Sequence, residues 1–169
     1  MEHTRWLDAD EQRTWRAFLT ANRLVLERVE RQLSQESGMP LAYYEILVRL
    51  SEAPDHTLRM STLASTALSS RSRLSHAVAR LEEAGWVRRR ACPSDRRGAF
   101  AELTPEGMAV LENAAPGHVE SVRASLFDHL SPEQQVALRD IAETLVGALS
   151  QVPRWPLTPD VTDAAEQPR

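Results

Sequence analysis

The stretch that most constrains this chain runs from residue 70 to residue 103, where a helical period meets a strand period at a glycine. Leu74, Val78 and Leu81 recur at helical spacing, and Gly85 stops a helix predicted over residues 70–84. Directly after it come Trp86, Val87, Arg88, Arg89 and Arg90, then Pro93, Ser94, Asp95, Arg96, Arg97 and Gly98, then Ala99, Phe100, Ala101, Glu102 and Leu103. The flanks alternate as strands and the centre has turn chemistry, so this segment reads as a β-hairpin. Upstream, a short helix over residues 61–67 carries Leu63 and Ala64, and a break at Leu68 and Ser69 separates it from the second helix. Ser69 is the expected N-cap of that second helix, since its hydroxyl can accept from a free first-turn amide. Two short helices about a tight polar turn, followed at once by a basic hairpin, predict a winged helix-turn-helix.

Helical patterns flank this unit on both sides. Trp15, Phe18, Leu19, Val25, Leu26, Val29 and Leu33 mark a helix over residues 11–35, closed by Gly38 and Pro40. Leu41, Tyr44, Leu47 and Val48 mark a second over residues 41–52, ended by Ala53, Pro54 and Asp55. Thr104, Pro105 and Glu106 open a third, expected to reach Leu130 with a kink or break at Pro116 and Gly117. Ser131 and Gln134 are spaced as a capping box before Val136, Leu138, Ile141, Leu145 and Leu149. With 22 Ala and 21 Leu against two Ile, the chain reads as mainly α with a small β-hairpin wing. Its expected segments are an N-terminal helix over 11–40, the winged helix-turn-helix over 41–103, C-terminal helices over 104–152 and a proline-rich, acidic, disordered tail over 153–169.

The formal net charge of −4 hides a strong segregation. Residues 71–97 hold eight Arg against Glu82, Glu83 and Asp95, a balance of +5, so the remainder carries −9. A local positive field of this kind suits a polyanionic partner. All twenty basic residues are Arg, which fits a GC-rich coding bias. No apolar run approaches the roughly 18 residues of a membrane span, and residues 1–11 are too polar for a signal peptide. Cys92 is the single cysteine, so no intrachain disulfide is possible; the reading is a cytoplasmic protein without cofactor. His3, His56, His76, His118 and His129 show no metal-ligand spacing, and there is no Gly-rich phosphate loop or nucleophile elbow, so an enzyme is not expected.

Duplex DNA is read in its major groove by an element as wide as one α-helix. The stripe at Leu74, Val78 and Leu81 leaves Ser72, His76 and Ala79 on the opposite face, with Arg71, Arg73, Ser75 and Arg80 on the flanks and Ser70 at the start. Arg73 can hold guanine O6 and N7 with two parallel bonds, while Arg71 and Arg80 suit phosphates. In the hairpin, Arg89, Arg96 and Arg97 supply charge, and Arg97 at the tip can enter a minor groove, steadied by Asp95. The alternative use of a winged helix, docking a protein partner, predicts apolar residues on that exposed face, and these are polar.

Leu63 and Ala64, the run Leu81, Glu82, Glu83, Ala84, Gly85, Trp86, Val87, then Asp95, Arg96, Arg97, Gly98, then Leu103, Thr104, Pro105, Glu106, Gly107 together resemble the MarR family of bacterial transcriptional regulators. The resemblance spans about residues 11–150. It implies a homodimer with interlocking first and last helices, one winged helix per subunit entering successive major grooves of a palindromic operator, and a repressor's role. Leu126, Leu130, Leu138, Ile141, Leu145 and Leu149 agree independently, being more apolar surface than one slender helix pair buries. By the same resemblance Arg97 is the minor-groove arginine with Asp95 its partner, and Ser72, Arg73, Ser75 and His76 read bases. Many members release DNA when a small aromatic or lipophilic ligand binds beside the dimerisation helices, and Trp15, Tyr43 and Tyr44 are the residues expected to line such a cleft. Some relatives sense oxidants through a cysteine near the amino-terminal helices; Cys92 instead lies at the base of the wing, where Arg90 or Arg96 would activate it.

Overall fold

A computed structural model describes residues 4–67, 70–92 and 95–149, with residues 71 and 95–97 described by backbone alone. Helix α1 (Ala9–Ser37) opens on Asp8, whose carboxylate accepts from the amides of Asp10 and Glu11 at 2.8 Å each. Glu11 reciprocates by accepting from the Asp8 amide at 2.9 Å, which completes a capping box and starts the helix earlier than its apolar period suggests. Gly38 ends it at φ 62°, a conformation that favours glycine. Helix α2 (Leu41–Ser51) follows, then a 3-10 turn (Pro54–His56), strand β1 (Thr57–Arg59), α3 (Met60–Thr66) and α4 (Arg71–Glu83). The N-cap of α4 is Ser70, whose hydroxyl accepts from the Arg73 amide at 3.3 Å; Ser69, expected in that role, lies outside the described residues.

Strands β2 (Val87–Cys92) and β3 (Asp95–Leu103) form the wing and reach further than the alternation alone predicts. The sequence reading did not contain β1, which pairs antiparallel with β3 to give the sheet order β1-β3-β2. Thr57, Leu58 and Arg59 are too few to show a period, and their strand exists because Glu102, Ala101 and Phe100 offer a ladder. Leu33, Leu47, Leu50, Leu63, Val78 and Leu81, from the first four helices, are fully buried in one core. Each contributes roughly 1.5–3 kcal/mol of apolar transfer.

Helix α5 (Pro105–Ser125) continues through Pro116, so the expected break there does not occur, and it stops before a 3-10 turn (Phe127–His129) rather than reaching Leu130. A proline inside a helix costs about 3 kcal/mol in isolation. Here α5 is packed along α1 and α2, with Leu111 and Ala114 buried just before Pro116 and His118 against Tyr44 just after it. Helix α6 (Pro132–Leu149) begins with the expected capping box, Ser131 Oγ accepting from the Gln134 amide at 3.3 Å and Gln134 Oε1 from the Ser131 amide at 2.9 Å. None of its residues is buried. The tail over residues 153–169 lies outside the described residues.

The wing is fastened to α5 through one residue. Thr104 donates its backbone amide to the Trp86 carbonyl at 3.1 Å and its hydroxyl to the Gly85 carbonyl at 2.7 Å. The same hydroxyl accepts from the Gly107 amide at 3.0 Å, capping α5. Gly107 lies so close that a Cβ there would overlap the Trp86 carbonyl oxygen. We expect Gly107→Ala to destabilise the protein by about 1–3 kcal/mol through this overpacking, read as a lower urea midpoint; an unchanged midpoint would mean that the junction is loose.

Candidate nucleic-acid interface

Helix α4 presents its faces as its period requires. Leu74, Val78 and Leu81 are buried, while Ser72, Arg73, Ser75, His76 and Arg80 are exposed and Ala79 is half-buried. Gly85 closes the helix at φ 77°, and the Trp86 amide reaches back to the Leu81 carbonyl at 2.9 Å, so the chain leaves α4 directly into β2. The exposed face therefore stands beside the wing with no intervening loop.

The arginines of this segment divide by what already holds them. Arg80 pairs with Glu83 at 2.8 Å, both side chains largely exposed, and that carboxylate raises the guanidinium's pKa above its ordinary value. Arg88 and Arg90 both pair with Glu102, the first directly across the ladder and the second at 2.7 Å. Arg89 faces the other way, toward α4, where it meets Glu82 and the Ser75 carbonyl. The sequence reading sets it among the wing's DNA-facing cations, whereas alternation from buried Val87 places it on the inner face. Among the described side chains of this segment, Arg73 is the cation with no carboxylate partner. Its neighbours Ser72, Ser75 and His76 are all polar, as a surface that reads base edges requires and a protein-docking face would not.

At the far end of the wing, Ala91 pairs with Ala99 but Cys92 pairs with Asp95. The register slips there, and Arg96, Arg97 and Gly98 stand outside the paired ladder as a bulge. The side chains of Arg71, Asp95, Arg96 and Arg97, and with them the expected Asp95–Arg97 pair, lie outside what is described. Cys92 itself is buried at 5% exposure. Arg59 of β1 donates to Cys92 Sγ at 3.2 Å while its guanidinium carbon lies 5.5 Å from the centre of the Phe100 ring. Sequence reasoning missed Arg59, because the strand that carries it has no sequence signature.

The three aromatics expected to share a ligand cleft have three different neighbourhoods. Trp15 is half exposed and stacks on Phe18 of its own helix at 6.2 Å. Tyr43 is half-buried and close enough to Arg80 to add to the pull of Glu83. Tyr44 is buried and its ring lies 4.2 Å from that of His118 on α5. None of the three lines the cleft of about 720 Å³ between α1 and α5, whose walls include Arg28, Gln32 and Glu36 on one side and Gly117, Ser121 and Ser125 on the other. Of the apolar residues expected at a dimer seam, Leu126 and Leu130 are half-buried, whereas Leu138, Ile141, Leu145 and Leu149 are exposed by 40–81%.

Comparison with known proteins adds an independent line. The sequence profile described as the MarR family matches residues 37–98. The chain is 50% identical to Sco3205, a MarR family transcriptional regulator of Streptomyces coelicolor solved in complex with DNA; the match covers 90% of this chain and 98% of that one, with a TM-score of 0.84. AbsC, a MarR family regulator of the same organism, is 47% identical over 85% of this chain and 99% of its own, with a TM-score of 0.77. The transcriptional regulator PecS of Dickeya dadantii is 29% identical over 118 residues, 69% of this chain and 70% of its own.

Burial also sets a pH dependence. Desolvation lowers the pKa of His118 below its usual 6.5 and raises that of Tyr44 above 10.0. His118 Nδ1 is shielded and has no hydrogen-bond partner among the described residues, so a proton there would be uncompensated. Because the unfolded chain binds this proton more readily, the contribution is complete above pH 6.5 and is lost as pH falls from there toward the lower folded value. His118→Phe keeps a ring against Tyr44 and should flatten the fall of the urea midpoint between about pH 7.5 and pH 5.5; an equal fall in both proteins would place the titration elsewhere.

Proposed function

The chain belongs to the MarR family of transcriptional regulators, and from that premise we propose that it acts as a homodimeric repressor that reads a palindromic operator in double-stranded DNA. The observation that carries this reading is the uncommitted guanidinium of Arg73 on an exposed polar helix face beside a basic wing. Arg73 would take a guanine edge, and Ser72, Ser75 and His76 would complete the base contacts. Arg71, at the start of α4, and Arg96 and Arg97, in the bulge of the wing, would meet phosphates or the minor groove, and the exposed Arg80 of the same helix would meet phosphates. The work is assigned to the cytoplasm, where chromosomal DNA is found; among the described residues no helix is long and apolar enough to cross a membrane.

Dimerisation is supported by the apolar surface that one subunit leaves uncovered. Ile141, Leu145, Val146 and Leu149 of α6 are exposed, as are Trp15, Phe18 and Leu19 of α1, and such a surface is normally buried against a partner. Two subunits joined there would carry two winged helices, which matches a two-fold symmetric site with half-sites one helical turn apart. The ligand-responsive part of the reading rests on the α1–α5 cleft, where a small aromatic effector would press on the helix that Thr104 couples to the wing.

In a selection from random duplexes, the wild-type protein should enrich one inverted repeat and bind it at least about 10³ tighter than a scrambled duplex. No enrichment would end the DNA reading. Arg73→Ala should weaken the selected duplex by roughly 1–3 kcal/mol and relax the preference at one base position, whereas Arg97→Ala should flatten the salt slope by about one phosphate equivalent. Leu145→Glu should give monomer in light scattering, and a persistent dimer would move the seam elsewhere.

A further inference from the structure

Arg89 and Glu82 make more contacts with each other than a surface ion pair does. The Arg89 amide donates to Glu82 Oε1 at 3.1 Å, and Arg89 Nε, shielded from solvent, faces Glu82 Oε2 at 3.3 Å. The far end of the same guanidinium, Nη2, donates to the Ser75 carbonyl at 2.7 Å. Ser75 and Glu82 are seven residues apart, two turns along one side of α4, a span of about 10 Å. One arginine from the sheet thus holds the recognition helix at two points on a single line parallel to its axis.

We propose that Glu82 and Arg89 form a clamp that fixes the rotation of α4 about its own axis, and that this makes both of them positioning residues for sequence discrimination. The proposal rests on the reading of α4 as the DNA-recognition helix. Successive residues of a helix are separated by about 100°, so a roll of a fraction of that angle exchanges which of Ser72, Arg73 and His76 points outward. Leu74, Val78 and Leu81 oppose such a roll only through apolar contact, which is non-directional. The hydrogen bond from the Arg89 guanidinium to the Ser75 carbonyl is directional, and with the ion pair to Glu82 at the other end it supplies the missing restraint. Ala101 stands opposite Arg89 in the ladder and is fully buried; a methyl group there leaves the guanidinium room to lie flat along the helix.

The test turns on a sign. Glu82 is an acid on a helix that approaches phosphates, so as a charge alone its loss would tighten every duplex. The clamp predicts instead that Glu82→Gln lowers affinity for the duplex enriched by the wild-type protein by roughly tenfold, while affinity for a scrambled duplex stays level or rises. Arg89→Lys keeps the charge but cannot span Glu82 and Ser75, and it should show the same loss of ratio with an unchanged salt slope. The double variant should lose no more than either single variant, since both break one unit. Circular dichroism and thermal melting on the same samples confirm that folded protein is compared, because a purely structural role would lower the melting temperature without changing the ratio. Additive losses, a ratio unchanged in either single variant, or general tightening by Glu82→Gln would overturn the clamp. If the wild-type protein enriches no duplex, the DNA reading fails and the clamp falls with it; if it does and the ratio is unmoved by both variants, only the clamp fails.

Discussion

The hydrogen bonds of Thr104 join the three parts of the molecule on which its architecture depends. Its amide and hydroxyl take the carbonyls of Trp86 and Gly85, at the point where α4 has just ended and β2 begins, and the same hydroxyl starts α5. The helix-turn-helix, the wing and the long helix α5 therefore meet at one residue without a flexible connection. Gly107 allows this because its missing side chain lets the first turn of α5 rest on the Trp86 carbonyl. The Leu-Thr-Pro-Glu-Gly run consequently has a mechanical meaning as well as its value as a helix start.

Where periodicity or turn chemistry was strong, the sequence was legible. Leu74, Val78 and Leu81 placed the buried side of α4, and Gly85, Thr104 and the Ser131–Gln134 box marked ends that the fold respects. Short or tertiary features were not legible. Strand β1 is three residues long and depends on its partner, and Pro116 reads locally as a break although packing against α1 and α2 carries the helix through it. Arg89 is the instructive case. Its charge suggested the outer face of the wing, while its parity with Val87 placed it inside, and parity decided the outcome. Tyr43 and Tyr44, adjacent on a helix, point to different neighbours, Arg80 and His118.

Charge counting overstates what this surface offers and understates how it is organised. The excess of Arg over acid in residues 71–97 suggests a diffuse cationic patch. In the structure Glu82, Glu83 and Glu102 occupy four of those guanidinium groups, two of them through one carboxylate. Exposed pairs of this type contribute less than about 1 kcal/mol each and exchange readily, so Arg80 and Arg88 remain recruitable by a stronger anion. Arg73 needs no such exchange, since no carboxylate holds it among the described residues.

The absence of slack at Thr104 has a geometric consequence. The ladder extends from that junction to the Cys92–Asp95 pair, a lever of roughly 17 Å at about 3.3 Å per residue. Tilting α5 by about 5° would sweep the end of the ladder through roughly 1.5 Å, more than the tolerance of a hydrogen bond. A torque of small angle applied far from the tip is thereby amplified into a displacement large enough to engage or disengage it, with no part of the chain having to unfold.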